Sequence, residues 1–351
     1  MTLAALRVDD LRIVQGAQLA FAPGLNLISG ANGSGKTSLL EAIFLLGRGR
    51  SFRTRHTERL IRHGAEQLLV FGETAAPDHK LGLAYSREGG ATARIDGRTP
   101  QSLAELPAYF FVEAIDPEIH RLVSGAPADR RRWLDWGVFH VEPGFLDHWI
   151  RYGRALKQRN AALKSGMDPR PWSGELVLNG ERIASQRQGW LDGLLPVWET
   201  TVEQLSGLPV QLTGHRGWAQ QHASLSDALD EAAERDRQRG TTTVGPHRAD
   251  ISLRLGGELA REVLSRGQQK LVASAMVIAL LRRLRELGEG SATLLLDDPA
   301  AELDSERLGN FVSLVRSLEG QLVVTTLQAS SEIFGKPDQL FHVERGGVKS
   351  A

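Results

Sequence analysis

Cysteine is absent from all 351 residues. That excludes a disulfide framework, a thiolate metal site and a cysteine nucleophile, and it fits a reducing compartment. Long apolar runs are missing too. The longest, around Leu271 to Leu281, is well short of the roughly 20 residues a bilayer crossing needs, and the N-terminus has no basic-then-apolar signal. A cytoplasmic protein without membrane contact is therefore expected. Net charge is zero, with 42 Lys and Arg against 42 Asp and Glu, which argues against a uniformly basic surface that grips nucleic acid anywhere. There is no internal repeat, no low-complexity segment and no sustained heptad run. What remains, 41% hydrophobic and 24% charged residues, is the composition of an ordinary globular protein with a large core in one or two domains.

Within that composition, Gly30-Ala31-Asn32-Gly33-Ser34-Gly35-Lys36-Thr37 fills every fixed position of a phosphate-binding loop. The preceding Leu25-Asn26-Leu27-Ile28 reads as a strand, and the run from Ser38 to Leu46 reads as a helix. The glycines let backbone N–H groups turn inward around phosphates, and the helix N-terminus adds partial positive charge. Gly30 to Ser38 are thus the candidate ATP-binding residues, with Lys36 reaching the β- and γ-phosphates and Thr37 holding Mg²⁺. Leu294-Leu295-Leu296-Asp297-Asp298 is an apolar run ending in two carboxylates. Such a pair is also an ordinary strand-to-turn ending, but beside a phosphate loop it does not stand alone. A buried strand delivering Asp297 to its tip makes it the second metal residue, and Asp298 becomes the candidate for polarising an attacking water.

A third element is Leu264-Ser265-Arg266-Gly267-Gln268-Gln269-Lys270 ahead of a long apolar helix. A Ser-Xaa-Gly-Gln turn at a helix start binds anions or serves as a plain serine N-cap. It resembles the signature motif of the ATP-binding-cassette (ABC) superfamily. That likeness implies that Ser265, Arg266, Gly267 and Gln268 complete an ATP site held by a second protomer. Pro299 to Asp304 is similar to the loop that crosses the dimer interface there, with Asp304 as its candidate contact.

The chain as a whole resembles the RecF family of the SMC-like ABC ATPases. The likeness rests on Phe21 to Ile28, Leu40 to Ile43, Gly49 to Arg53, Ala126 to Asp135, Leu156 to Asn160, Gly245-Pro246-His247-Arg248-Ala249-Asp250, Ser265 to Lys270 and Leu294 to Asp304. The ATPase motifs are shared across the superfamily. The arginine-rich, Gln-Arg-Asn and Gly-Pro-His-Arg stretches are more particular to RecF. The resemblance implies a weak DNA-dependent ATPase of recombinational repair, replication restart and the SOS response. Its cofactors would be ATP and Mg²⁺. Its partners would be duplex and gapped DNA, RecR, RecO and a second copy of the chain, and its outcome RecA loading. A non-hydrolysing, ATP-gated DNA scaffold is the alternative, because Asp298 stands where many relatives carry a longer glutamate. Thr325-Thr326 occupies the place of a histidine that senses the γ-phosphate in transporters, and RecF-like sequences resemble this one there. No glutamine lies near Phe110 to Glu113, so a switching residue is not assignable from sequence.

Charge is distributed unevenly. Between Gly47 and His63, Arg48, Arg50, Arg53, Arg55, Arg59 and Arg62 face a single Glu58. Phosphate is their natural partner, and Arg48, Arg50, Arg53 and Arg55 are the leading DNA candidates because they follow the nucleotide-binding helix. Arg151, Arg154, Lys157, Arg159 and Lys164 form a second basic stretch at helical spacing. The motif order makes both chain ends into one α/β head, an ABC-type mixed sheet with flanking helices, from residues 1–110 and 241–351. Residues 111–240 are then a mostly helical inserted arm, with Pro127, Pro143, Pro169 and Pro171 as breakers and a charged helix from Asp227 to Arg239 ending at Gly240.

Overall fold

The computed structural model describes residues 2–290, 292–301, 305–327 and 332–350. They form two compact units, Met1–Ile119 with Gly290–Ala351, and His120–Glu289.

The first unit holds two sheets. In one, β1 (Thr2–Leu11), β2 (Val14–Ala20), β4 (Gln67–Ala75), β5 (Lys80–Ser86) and β6 (Gly90–Ile95) pair antiparallel in the order β2-β1-β4-β5-β6. Leu68, Val70, Gly72 and Thr74 of β4 point inward while Gln67, Leu69 and Phe71 face out, the alternation of a sheet buried on one face. The other sheet comprises β3 (Leu25–Ser29), β7 (Val112–Ile115), β11 (Thr293–Leu296), β12 (Gln321–Thr326), β13 (Gln339–Glu344) and β14 (Gly347–Ser350), in the order β14-β13-β3-β12-β11-β7. All pairings are parallel except that of β14 with β13. Every residue of β7 and β11 is buried, as a strand covered on both faces requires.

Helix α1 (Lys36–Arg48) follows the phosphate loop and is buried almost all round, from Leu39 to Gly47 without a break. A helix apolar on every side belongs inside a core. It packs against β1, β4 and β5 of one sheet and β7 and β12 of the other, and one hydrophobic cluster joins Leu40, Ile43, Leu6, Val70, Leu295 and Val323. Near the other chain end α10 (Ser305–Arg316) buries Leu308, Phe311, Val312 and Val315, a single helical stripe.

Helices dominate the second unit. They are α2 (Arg121–Ser124), α3 (Pro127–Val141), α4 (Phe145–Lys164), α5 (Ser173–Ser206), α6 (Leu225–Glu231), α7 (Ala233–Arg239), α8 (Ala260–Val263) and α9 (Arg266–Glu286). A small antiparallel sheet of β8 (Gln211–His215), β9 (Asp250–Leu255) and β10 (Glu258–Leu259) accompanies them. Pro127 starts α3 at its first turn, where a missing N–H costs nothing, and Pro143 and Pro169 lie between helices. Pro196 is different, because α5 continues through it. The expected single helix from Asp227 to Arg239 is two short helices that meet at Ala232, and Gly240 ends the second in the left-handed region.

The compact units divide the chain elsewhere than the expected boundaries. Strand β7 lies beyond 110 yet pairs with β11, so it belongs to the first unit. Helix α9, expected with the head, clusters with the second unit because it packs along α5 and α3, and the Trp133 indole N–H donates to the Met276 carbonyl at 3.2 Å.

Two of the RecF-like stretches clamp one another in this unit. Arg130 is bidentate on Asp250 (2.8 and 3.1 Å), Arg131 donates to the Ala249 carbonyl (2.7 Å), and Arg187 joins Asp135 (2.7 and 3.0 Å) to the Pro246 carbonyl (2.8 Å). Burial pushes His247 down to about 4, so its ring is neutral. It then accepts from the Tyr152 hydroxyl at Nδ1 (2.6 Å) and donates from Nε2 to the Thr242 carbonyl (3.0 Å).

Candidate nucleotide-hydrolysis site

Parallel strands deliver their C-terminal ends to one edge of the sheet, where ligands of open α/β sheets bind. Pairing of Leu296 with Ile115 and Val324 puts the following residues, Asp297, Asp116 and Thr325, side by side at that edge. Thr326 pairs with Ser29, so the phosphate loop leaves β3 from the same edge.

The loop conformation depends on glycine. Gly30 has φ +155° and Gly35 φ +118°, and a Cβ on Gly30 would collide with the Val343 carbonyl. Gly35 is also the N-cap of α1 and supplies no side-chain cap, which leaves the first N–H groups of a largely buried helix aimed at the loop. Lys36 folds back over it, donating to the carbonyls of Gly30 (2.7 Å) and Ala31 (3.0 Å). Burial lowers the Lys36 pKa, while the carboxylates of Asp298 and Asp297 oppose that shift. The Ser34 hydroxyl is buried with no hydrogen-bond partner among the described residues. A left-handed loop, an uncapped helix start, a cation and an unpaired hydroxyl together fit a polyphosphate.

At the candidate metal position the Thr37 hydroxyl donates to Asp297 Oδ1 at 3.0 Å. Among the described residues no group of three or more His, Cys, Asp or Glu forms a dedicated metal cage. One hydroxyl and one carboxylate, all hard oxygen, fit Mg²⁺, which takes few protein ligands and completes its shell with phosphate and water. Asp298 follows directly with a left-handed backbone, φ +48°. Burial raises its carboxyl pKa, Lys36 opposes the rise and Asp297 adds to it.

At this edge the sequence marks the place of Thr325 but not its bonding role, and it gives Asp116 no role at all. Thr325, fully buried, donates to Asp297 Oδ1 (2.8 Å) and accepts from the Asp298 backbone N–H (2.9 Å). Asp116 follows β7 level with Asp297, and burial, with the Asp297 charge adding, pushes it up to about 6. The only signal for Asp116 is that Phe110 to Ile115 is a largely apolar run ending in aspartate, the same pattern that marks Asp297.

Ser265 caps α9 in the second unit. Its hydroxyl accepts from the Gln268 N–H (3.3 Å), and the Gln268 side chain returns to the Ser265 N–H (2.9 Å), a full capping box. Ser265 and Arg266 are exposed, Gly267 and Gln268 half-buried. Asp304 lies outside the described residues.

The arginine segment divides. Arg48 points inward, its side chain only 5% exposed, in an ion pair with Glu113 at 2.8 Å and against the Phe44 ring. That contact turns it away from solvent and from any backbone phosphate. Arg50 also lies over Phe44 and is half-buried, whereas Arg53 and Arg55 are exposed. Glu41 of α1, wholly buried, accepts from Arg12 and from the Ser51 hydroxyl, and Ser51 Oγ accepts from the N–H groups of Arg53 (2.9 Å) and Thr54 (3.1 Å). The backbone of the exposed Arg53 is therefore tied through Ser51 to the nucleotide-binding helix. In the second basic stretch Arg159 is buried on Asp236 and Thr242, while Arg151, Arg154, Lys157 and Lys164 remain exposed.

A family model described as RecF/RecN/SMC N terminal domain matches residues 2–349. The DNA replication and repair protein RecF of Stutzerimonas stutzeri (strain A1501) is 40% identical, with 99% of this chain and 97% of that protein aligned. RecF of Pseudomonas putida (strain GB-1) is 39% identical over 99% and 98%. Among solved structures, the recombination mediator protein RecF-ATP of the RecFOR pathway superposes with a TM-score of 0.89 at 26% identity, covering 100% of this chain and 97% of that one. An Smc head bound to the C-winged helix domain of ScpA matches with a TM-score of 0.62 at 16% identity, over 100% and 97%, a likeness of fold alone.

Proposed function

The chain belongs to the RecF family, within the RecF/RecN/SMC group, and from that membership we propose an ATP-dependent DNA-binding protein of recombinational repair and replication restart. Two heads joined by ATP clamp duplex DNA beside a single-stranded gap, and slow, DNA-stimulated hydrolysis releases the clamp. With RecO and RecR the clamp supports RecA loading, and the solved RecF-ATP of the RecFOR pathway supports ATP as the ligand and those proteins as partners.

The observation that carries this reading is the convergence of Lys36, Thr37, Asp297 and Asp298 on one sheet edge. Gly30 to Ser38 bind and orient the triphosphate, with Lys36 matching the charge of its outer phosphates. Thr37 and Asp297 hold Mg²⁺, which when bound neutralises charge developing on the phosphoryl oxygens. Asp298 orients water, and its raised pKa suits a proton acceptor. Ser265, Arg266, Gly267 and Gln268 act on the ATP of the partner head, with Asp304 at that interface, so dimerisation and ATP binding are one linked equilibrium. Arg53 and Arg55 meet DNA phosphates, and Arg50 borders them.

A non-hydrolysing scaffold is the second reading, favoured by Asp298 itself: its side chain is one methylene shorter than the glutamate many relatives carry there. Steady-state ATP turnover of the native chain and of Asp298→Asn on gapped DNA separates the two. Hydrolysis by the native chain and a loss of about 100-fold or more in the variant supports the enzyme; equal rates remove Asp298 from the chemistry.

A further inference from the structure

Asp298 reaches its position at a cost. A non-glycine residue at φ +48° lies in the sparsely populated left-handed region, and its surroundings help to hold it there. Asp298 stands just beyond the end of β11, so the strand ladder does not account for its N–H group. Thr325 Oγ1 takes that N–H at 2.9 Å. The same hydroxyl spends its one proton on Asp297 Oδ1 at 2.8 Å, the oxygen that also receives the Thr37 hydroxyl at 3.0 Å. Thr325 is fully buried and β-branched, on a central strand with β3 and β11 as neighbours, so its χ1 has little freedom.

We infer that Thr325 is the positioning residue of the hydrolytic site: one hydroxyl fixes Asp297 through its carboxylate and Asp298 through its backbone. This rests on the ATPase reading above. The hydroxyl holds the metal-binding carboxylate and the backbone of the water-orienting residue at one point. It also ties both to β12, which pairs with the strand that launches the phosphate loop. Among the described residues, a valine at this position matches the shape, orphans the Asp298 N–H and leaves the Asp297 carboxylate with the Thr37 hydroxyl as its one donor. Serine keeps both hydrogen bonds.

The test compares full-length native protein, Thr325→Val and Thr325→Ser in DNA-stimulated ATP turnover, with kcat and KM resolved, and in the Mg²⁺ concentration needed for half-maximal binding of a fluorescent ATP analogue. Circular dichroism and melting temperature establish that each variant is folded. The expected result is a kcat at least about tenfold lower in Thr325→Val with KM changed less than about threefold, and recovery to near the native rate in Thr325→Ser. Native turnover in Thr325→Val, or equal loss in both variants, overturns the assignment. Should the native chain itself not hydrolyse ATP, the ATPase reading fails by that result alone. Thr325 is then judged on Mg²⁺: a requirement raised several-fold in valine and not in serine upholds its hold on Asp297, and an unchanged requirement overturns it.

Discussion

Gly30 cannot carry a side chain. Its φ of +155° and the Val343 carbonyl behind it leave no room for a Cβ, so Gly30→Ala must move either the loop or β13. Nucleotide affinity is expected to fall by about tenfold or more, read by titration with a fluorescent ATP analogue, while α1 keeps its buried packing and the variant stays folded. At this scale much of the site is legible in sequence. Lys36, Thr37 and the glycines are local, their spacing is the motif, and Asp297 and Asp298 end an apolar run that only a buried strand explains. Thr325 and Asp116 are not legible in that way. What gives each its role is a neighbour on an adjacent strand, set by a sheet register that no short motif encodes. A row of arginines likewise does not say which of its members turn inward, and Arg48 does so because Glu113 and Phe44 await it.

The clamp between α3, α5 and the Gly245–Asp250 loop decides two outcomes at the level of elements. Arg187 and Asp135 form a largely buried, bidentate pair, with Arg187 also on the Pro246 carbonyl. Arg187→Met strands the Asp135 carboxylate and is expected to destabilise the protein by about 3 kcal/mol in urea denaturation, with Asp135→Asn in the same background recovering part of the loss. His247 gives a pH signature. Its folded pKa of about 4 lies below the ordinary 6.5, so the unfolded chain takes up a proton in a range where the folded chain does not. The full stability is present above pH 6.5 and is lost progressively toward pH 4, by at most about 3 kcal/mol from this group. Denaturation midpoints measured from pH 7 to 4 should therefore fall more steeply in the native chain than in His247→Gln; parallel curves would contradict this origin. The Gly-Pro-His-Arg and arginine-rich stretches stand out in the sequence as family-like, and the structure supplies the reason, since each is the other's hydrogen-bond partner. The course of α5 through Pro196 and the break at Ala232 were not legible, because packing along a long helix overrides local propensity at one site and a tertiary turn overrides it at the other.

For the molecule as a whole, two distant chain ends build one sheet, as the order of the motifs implies, and the structure shows why β7 must join them: it flanks β11 and supplies Asp116. The division at 119/120 and 289/290 assigns the phosphate loop and the Ser265 turn to different units. In the proposed clamp they meet across two copies, so DNA affinity should depend on ATP and, steeply, on protein concentration. Arg53→Glu with Arg55→Glu is expected to weaken DNA binding at least about tenfold and to flatten its salt dependence while leaving ATP affinity unchanged, as measured by anisotropy between 50 and 200 mM salt, about the range over which phosphate contacts are lost. The most direct measurement is fluorescence anisotropy of a gapped duplex titrated with the native chain and with Ser265→Arg, each with ATP and Mg²⁺ or with neither. The account predicts that ATP tightens binding cooperatively in the native chain and that Ser265→Arg, which leaves Lys36 untouched, loses that gain. Binding that is indifferent to ATP and to the variant would contradict it.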